Sequence, residues 1–323
     1  MKHTFNVLVG LTLILGLLSA CNDDSKPKHS KYTRSDTYSA GEIQFAADES
    51  FSPIVNEEVK VFEATYRDAV LHPIYTDEYA AMDLLLKDSV CLVFASRQFT
   101  EKEMKALKVN VSNPMAIPIA YDGLSLIVNK GNNDTCITVK DVKRILGGEV
   151  SKWNEVYPNS KLGDIEVIFD NKNSSTVRWC VDSLLGGKPI NSPNIYAAKT
   201  SAEVINYVEQ HANSIGIIGS NWLNDKRDTT NVTFKKNIHV MSVSRMDTAN
   251  EMNSWKPYQY YLYNGNYPLI RTIYALLVDP IHGLPWGFSQ FVSSPKGQLI
   301  IFRSSLLPYR GDLTVREVNV KSE

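Results

Sequence analysis

The sequence predicts an α/β fold, on three observations. Short apolar runs that read as strands alternate with amphipathic segments that read as helices from Ile43 onward, the pattern of βαβ units around a mostly parallel sheet. Helix starts carry capping patterns at Thr100-Glu101-Lys102-Glu103, Thr138…Asp141 and Thr200…Glu203, where a hydroxyl caps a backbone N–H three residues on. Gly147-Gly148 and Gly186-Gly187 each follow an apolar helix and read as C-caps.

Taken in order, the chain opens with Lys2, an apolar run from Val7 to Leu18, and Ser19-Ala20 leading into Cys21. A positive flank before a short greasy helix is a signal peptide, 1–20. The run is too short for a permanent span, which takes about 20 apolar residues. Cysteine directly after Leu-Ser-Ala resembles the bacterial lipobox, which implies lipidation of Cys21; an ordinary secretory signal with a chance cysteine is the alternative. Residues 21–40 are polar and read as a tether, of which about 20 flexible residues reach on the order of 25 Å.

The folded part begins with a short strand, Ile43–Ala46. Ser52 is expected to cap a helix with Pro53 in its first turn, where a missing N–H does no harm, and Val59, Phe62 and Tyr66 continue it at helical spacing. Leu71–Tyr75 reads as a strand, Thr76 as the cap of a helix through Leu86, and Val90–Ala95 as another strand. Further strands are expected at Ile117–Ala120, Leu124–Asn129, Ile165–Phe169, Ile215–Ile218 and Ile273–Val278.

Composition narrows the function. Lys2 is the one Lys, Arg, Asp or Glu in the signal, so cleavage takes the net charge from −1 to −2. A near-neutral chain argues against nucleic acid, which demands a concentrated basic surface. About 300 remaining residues fit two domains or lobes, and 43% hydrophobic residues supply the cores. Cys91, Cys136 and Cys180 are odd in number and unrelated in spacing, so neither a disulfide framework nor a metal site is indicated. Cys91, within Val90–Phe94, reads as buried packing. The histidines lack metal-ligand spacing, and there is no G-x-S-x-G elbow or P-loop. No cofactor is expected. Trp255, Tyr258, Tyr260, Tyr261 and Tyr263 read as core and hinge, or else as a sugar platform.

Three segments share one layout, a strand ending in hydroxyl residues at a helix start: Ala47–Ser52, Ala95-Ser96-Arg97 and Asn173-Ser174-Ser175-Thr176. Backbone N–H groups and the positive dipole end converge at such points, and Arg97 adds charge-assisted donors. Together they point to an anion pocket; taken singly, each is also ordinary capping.

In order and spacing these segments resemble the PstS-like phosphate-specific substrate-binding proteins of ABC transporters, from about Glu42 to Pro308. The resemblance is carried by Ala95-Ser96-Arg97 with Glu101 and Glu103, by Ile119–Leu124, by Thr138–Asp141 through Gly148 and Trp153, by Ile215–Ile218, and by Tyr267-Pro268 and Ser294–Gln298. It implies a two-lobed periplasmic-binding-protein fold, each lobe a mixed, mostly parallel sheet flanked by helices, with a two-strand hinge. The first lobe would be 41–120 plus 245–323, the second 121–244. Ser50, Phe51 (through its N–H), Ser96 and Arg97 would hold a phosphate or related oxyanion from the first lobe, and Ser174, Ser175 and Thr176 from the second. Asp122 or Asp170 would accept the proton that phosphate carries and sulfate lacks. The implied partners are an inner-membrane ABC permease and, through the anchor, the membrane; the chain is expected to be a non-enzymatic monomer, extracytoplasmic, in periplasm or on the cell surface.

One position departs from the family pattern. Where the family has Arg-x-x-x-Ser-Gly-Thr, this chain reads Asp170-Asn171-Lys172-Asn173-Ser174-Ser175-Thr176. An unpaired carboxylate beside a dianion is unfavourable by several kcal/mol. Asp170 must point away, accept the ligand's proton, or face a different ligand, with Arg97 or Lys172 restoring positive charge. A surface-exposed binder or sensor of an organic or phosphorylated ligand, without a permease, is the alternative function; a cleft hydrolase is a third.

Overall fold

The structure, a computed structural model, describes residues 34–110, 113–224 and 234–311. Signal peptide, Cys21 and most of the tether lie outside the described residues. The expected tether is shorter at its far end: Asp36 Oδ2 accepts the Leu284 N–H at 2.6 Å and Tyr38 meets Tyr66 edge-on at 6.4 Å.

Among the described residues one ten-stranded sheet runs in the order β2-β1-β3-β11-β4-β8-β6-β7, with β9 and β12 also on β4, while β5 (Cys136–Thr138) and β10 (Ser242–Ser244) pair in parallel as a separate two-stranded sheet. β1 (Gly41–Asp48) lies parallel between β2 (Ala69–Thr76) and β3 (Leu92–Ala95). At the far end β6 (Glu166–Phe169) lies parallel between β7 (Ile195–Ala197) and β8 (Ser214–Gly219). The centre is antiparallel: β11 (Ile270–Leu277) against β3 and β4, and β4 (Met115–Asn129) against β8, β9 (Ile238–Val240) and β12 (Leu307–Pro308).

β4 divides the sheet. Met115–Gly123 pair with β11, whereas Leu124–Val128 pair with β8. Sequence reading split this strand in two; it is continuous because its apolar second half is buried on both faces. The chain returns beside it, where the Leu124 N–H donates to the Leu269 carbonyl at 2.8 Å.

Each half is covered on both faces, the arrangement that buries a parallel wing. In the first, α1 (Ser52–Thr65), α9 (Leu284–Ser293) and α10 (Pro295–Phe302) cover one face through Phe62, Phe288 and Ile301, with Phe45 and Phe94 beneath. The other face takes α2 (Glu78–Leu86) and α3 (Glu101–Asn110) through Met82, Leu85 and Leu107. In the second half, α4 (Val139–Gly147), α5 (Trp153–Val156), α6 (Ser175–Trp179) and α8 (Gln259–Tyr263) lie on one face, with Ile145, Trp153 and Leu262 buried there. α7 (Ser201–Gln210) covers the other through Val204, Ile205 and Val208.

Tyr267 and Leu269 are buried in the second core with Leu262, and Ile273 in the first. The second core draws on the chain from Leu124 at one end to Leu307 at the other. Of the aromatic run, Trp255 and Tyr261 pack on that core, whereas Tyr260 and Tyr263 are exposed.

Thr138 and Thr200 cap α4 and α7 as expected, and Thr100 and Glu103 exchange backbone hydrogen bonds. Gly148 closes α4 at φ 76°. Two expected caps are displaced. Thr76 is still in the β1–β2 ladder, so Asp77 caps α2. Ser52 does not cap α1: a short 3₁₀ turn, Glu49–Phe51, intervenes, and Asp48 caps that.

Candidate functional site

Two of the three hydroxyl segments, those at Ser50 and at Ser174–Thr176, meet in one cluster. β1 ends at Asp48, whose Oδ1 accepts the Ser50 N–H at 2.9 Å and the Ser50 hydroxyl at 2.8 Å. Its Oδ2 reaches across to the Ser175 N–H at 2.8 Å, 127 residues away in sequence. The Ser50 and Ser175 hydroxyls stand 3.2 Å apart. On the far side of the Ser50 turn, Asn221 Nδ2 and Trp222 Nε1 donate to the Ser50 carbonyl at 2.9 and 3.0 Å.

The cation of this cluster is Arg271, which sequence reading missed. β11 and β4 register Arg271 opposite Asp122, and both side chains are fully buried. Asp122 Oδ2 accepts from Nε and lies 2.8 Å from Nη2; its Oδ1 accepts the Ser220 N–H and hydroxyl, each at 2.8 Å. Arg271 Nη1 then donates to Ser175 Oγ at 2.8 Å and Thr176 Oγ1 at 3.4 Å, and Nη2 to Ser50 Oγ at 3.3 Å. The guanidinium carbon lies 4.7 Å from the centroid of the Phe51 ring, a cation–π contact. A Cβ at Gly219 would come within 2.8 Å of Asp122 Oδ2 and 3.0 Å of Arg271 Nη2, so that position requires glycine.

Asp170 does not point away. It is buried at the end of β6, where Oδ1 accepts the Ser174 hydroxyl at 2.7 Å and the Asn171 N–H at 3.0 Å, and Oδ2 accepts Thr176 Oγ1 at 3.3 Å. Desolvation, reinforced by the negative charges of Asp48 and Glu49, pushes its pKa up to about 7, against the opposing pull of the Ser174 bond and Arg271. A carboxyl so placed exchanges its proton near neutrality rather than near pH 4.

Two expected ligand contacts are occupied otherwise. Arg97 does not reach the cluster: it forks onto Glu103 at 2.8 and 2.8 Å, the carboxylate the Thr100 capping box folds back beside it. Ser96 belongs to a neighbouring clasp, where its N–H donates to the buried Glu78 at 2.7 Å. Arg178, from α6, donates to Glu78, and to the Ser96 hydroxyl and carbonyl at 2.8 and 3.0 Å. Glu49 Oε2 makes a third bridge, accepting the Ser201 N–H at 3.0 Å and hydroxyl at 2.9 Å. Lys172 is exposed. Sequence reading therefore assembles Ser50, Phe51, Asp122, Asp170 and Ser174–Thr176 in one place but omits Asp48, Glu78, Arg178, Ser220 and Arg271. A lone arginine in an apolar strand was the available signal, since a buried cation demands a partner.

The chain matches the PBP superfamily domain over residues 33–296. It is 24% identical to the phosphate-binding protein PstS of Pseudomonas aeruginosa over 231 residues, 66% of either chain. It is 21% identical to PstS of Staphylococcus saprophyticus over 267 residues, 82% of this chain and 76% of that one. Among solved structures, a Clostridium perfringens protein with bound phosphate superposes at TM-score 0.67 and 19% identity, covering 84% of this chain and all of that one. An ABC-type phosphate transport receptor from Vibrio cholerae gives TM-score 0.61 at 17% identity over 83% of this chain and all of its own. With the domain match spanning most of its length and a fold shared with these two-lobed proteins, this chain belongs to the PBP superfamily.

Proposed function

We propose that this protein captures inorganic phosphate, or a closely related oxyanion, between its lobes and delivers it to an ABC permease. The observation that carries the reading is Arg271, a buried guanidinium held by Asp122 and facing the hydroxyls of Ser50, Ser175 and Thr176. It supplies, from the strand between the lobes, the positive charge absent at Asp170. Names of relatives support the choice of ligand, since PstS proteins are described as phosphate-binding.

The chemistry follows from what each group can exchange. Hydroxyls both donate and accept. In the closed form their oxygens stand where an anion's oxygens would accept from the guanidinium; when an anion enters, the same hydroxyls turn and donate to it. Charge-assisted hydrogen bonds contribute about 1.5–3 kcal/mol each, so three or four reach about −8 kcal/mol, micromolar binding. Asp170, when ionised, accepts the proton that phosphate carries and leaves a repulsive pair with sulfate, and because burial raises its pKa to about 7 this discrimination grows as pH rises through neutrality. Asp48 keeps the Ser50 and Ser175 N–H groups aligned. Nothing in this scheme makes or breaks a bond in the ligand, so the reading is a binder, not an enzyme.

Cys21 carries the lipid, the protein works outside the cytoplasm as a monomer, and its two lobes move about the paired crossings of β4 and β11. Isothermal titration of ligand-stripped protein tests the function: micromolar phosphate binding with no heat from sulfate supports it, and silence toward both refutes it. A sensor of a different ligand is favoured by one observation, three carboxylates (Asp48, Asp122, Asp170) around one guanidinium.

A further inference from the structure

Beside the Arg271 cluster the cleft holds a cavity of about 310 Å³, the size at which small-molecule pockets begin, about 300 Å³. Orthophosphate, with five heavy atoms held by the cluster itself, leaves that space unused. Asp48, Asp170 and Ser174 belong to both cluster and cavity, so a substituent on a phosphoryl group bound at Arg271 enters it directly. Beyond them the lining includes Glu49 and Asp77 from the first lobe and Lys199 from the second.

The lining decides the chemistry of the substituent. One oxygen of Asp77 accepts the Ala80 N–H at 2.9 Å, and one oxygen of Glu49 accepts from Ser201. Each carboxylate brings a second oxygen, and ionised carboxylates only accept. An apolar substituent would strip water from these acceptors and offer nothing in return. A substituent with an amine or hydroxyls would satisfy them, and sites built on such bonds discriminate strongly against analogues that lack the donor.

We propose that the cleft takes a small phosphate monoester or phosphonate whose organic group carries hydrogen-bond donors, with the phosphoryl group at Arg271 and the donors in the cavity bounded by Glu49, Asp77 and Asp170. This rests on the reading of the Arg271 cluster as the phosphoryl site. The test is titration of the ligand-stripped full chain in detergent with phosphoethanolamine, glycerol 3-phosphate, methyl phosphate and inorganic phosphate. Phosphoethanolamine or glycerol 3-phosphate is expected to bind at least about tenfold more tightly than methyl phosphate and inorganic phosphate, the winner telling an ammonium from hydroxyls. Asp77→Asn, which keeps the cap acceptor and removes the charge, is expected to weaken the preferred ester at least about fivefold and leave inorganic phosphate unchanged. Inorganic phosphate binding as tightly as every ester, or an Asp77→Asn variant that binds the preferred ester normally, overturns this inference while the phosphate site stands. Silence toward all four probes overturns both.

Discussion

Replacing Arg271 with methionine is the most informative single change. Methionine reproduces the apolar stem as far as Nε and lacks the rest of the guanidinium, so the change removes the charge and its hydrogen bonds while keeping the stem's packing. What is lost is the pairing of Nε and Nη2 with Asp122 at 2.8 Å, the 2.8 Å bond to Ser175, and two weaker bonds at 3.3 and 3.4 Å. Asp122 keeps two donors from Ser220 but has no cation left. Breaking a buried pair by removing one partner destabilises by about 3–5 kcal/mol. That is a large share of a typical stability of about 5–15 kcal/mol, so the variant should fold but melt roughly 6–10 °C lower. Phosphate affinity should fall at least about a hundredfold, about 3 kcal/mol.

A second substitution separates the two consequences. Adding Asp122→Asn removes the stranded carboxylate while an amide oxygen still accepts from Ser220. Stability should recover by about 2 kcal/mol or more, and phosphate binding should not recover at all. Thermal denaturation followed by circular dichroism and calorimetric titration read the two quantities separately. The reasoning fails if Arg271→Met binds phosphate within about threefold of the parent, or if the double variant is no more stable than the single one.

Other consequences follow from the buried acids, the clasp and the leader. Asp170 has a pKa raised to about 7 and Glu58, buried without a hydrogen-bond partner, one raised to about 9, both chiefly by desolvation. Their folded forms hold protons that the unfolded chain releases near pH 4, so stability is full below pH 4 and lost as pH rises. Urea denaturation should show a falling stability through pH 4–7 that is shallower in Asp170→Asn, and a further fall through pH 7–9 that disappears in Glu58→Gln; unchanged slopes would remove the assignment. Arg178→Ala leaves buried Glu78 without its cation and should lower stability by about 2 kcal/mol, with a larger ligand-free radius of gyration by solution scattering if the clasp holds the lobes together; an unaltered radius would count against it. Cys21→Ser should abolish palmitate incorporation and release the protein from the membrane fraction, and continued labelling would rule out the lipid anchor.

What was legible in the sequence was local. Threonines at 100, 138 and 200 mark helix starts because a cap depends on residues three apart, and Gly148 marks an end for the same reason. Thr76 was misread because the capping rule does not know where a ladder stops; Asp48 pairs with Thr76, which leaves Asp77 as the first side chain free to cap. Arg97 was misread because a strand-end arginine next to serine looks like a ligand contact. Glu103, already turned back to accept the Thr100 N–H, lies closer than any ligand and takes it. Arg271 stands out as a lone arginine in an apolar run, but its role is hidden for the opposite reason. Its partner is 149 residues away, and only the register of β11 on β4 brings them face to face.

An arginine at 271, with an aspartate at 170, has a consequence beyond charge balance. Arg271 stands on the strand pair where the chain crosses between halves, opposite Asp122 and one residue before the β11–β4 pairing gives way to Leu124 on β8. On the proposed reading the charge is therefore present whether the lobes are apart or together, and the hydroxyls of Ser50 on one side and Ser175 and Thr176 on the other are what closure adds. A ligand first meets a guanidinium whose attraction is sequence-blind and salt-dependent, then a hydroxyl shell that sorts by proton and shape. Capture and selection become separate steps. Raising salt should accordingly slow phosphate association far more than it speeds dissociation, whereas Thr176→Val should do the reverse. A salt dependence confined to the dissociation rate would place the cation on the closing lobe after all.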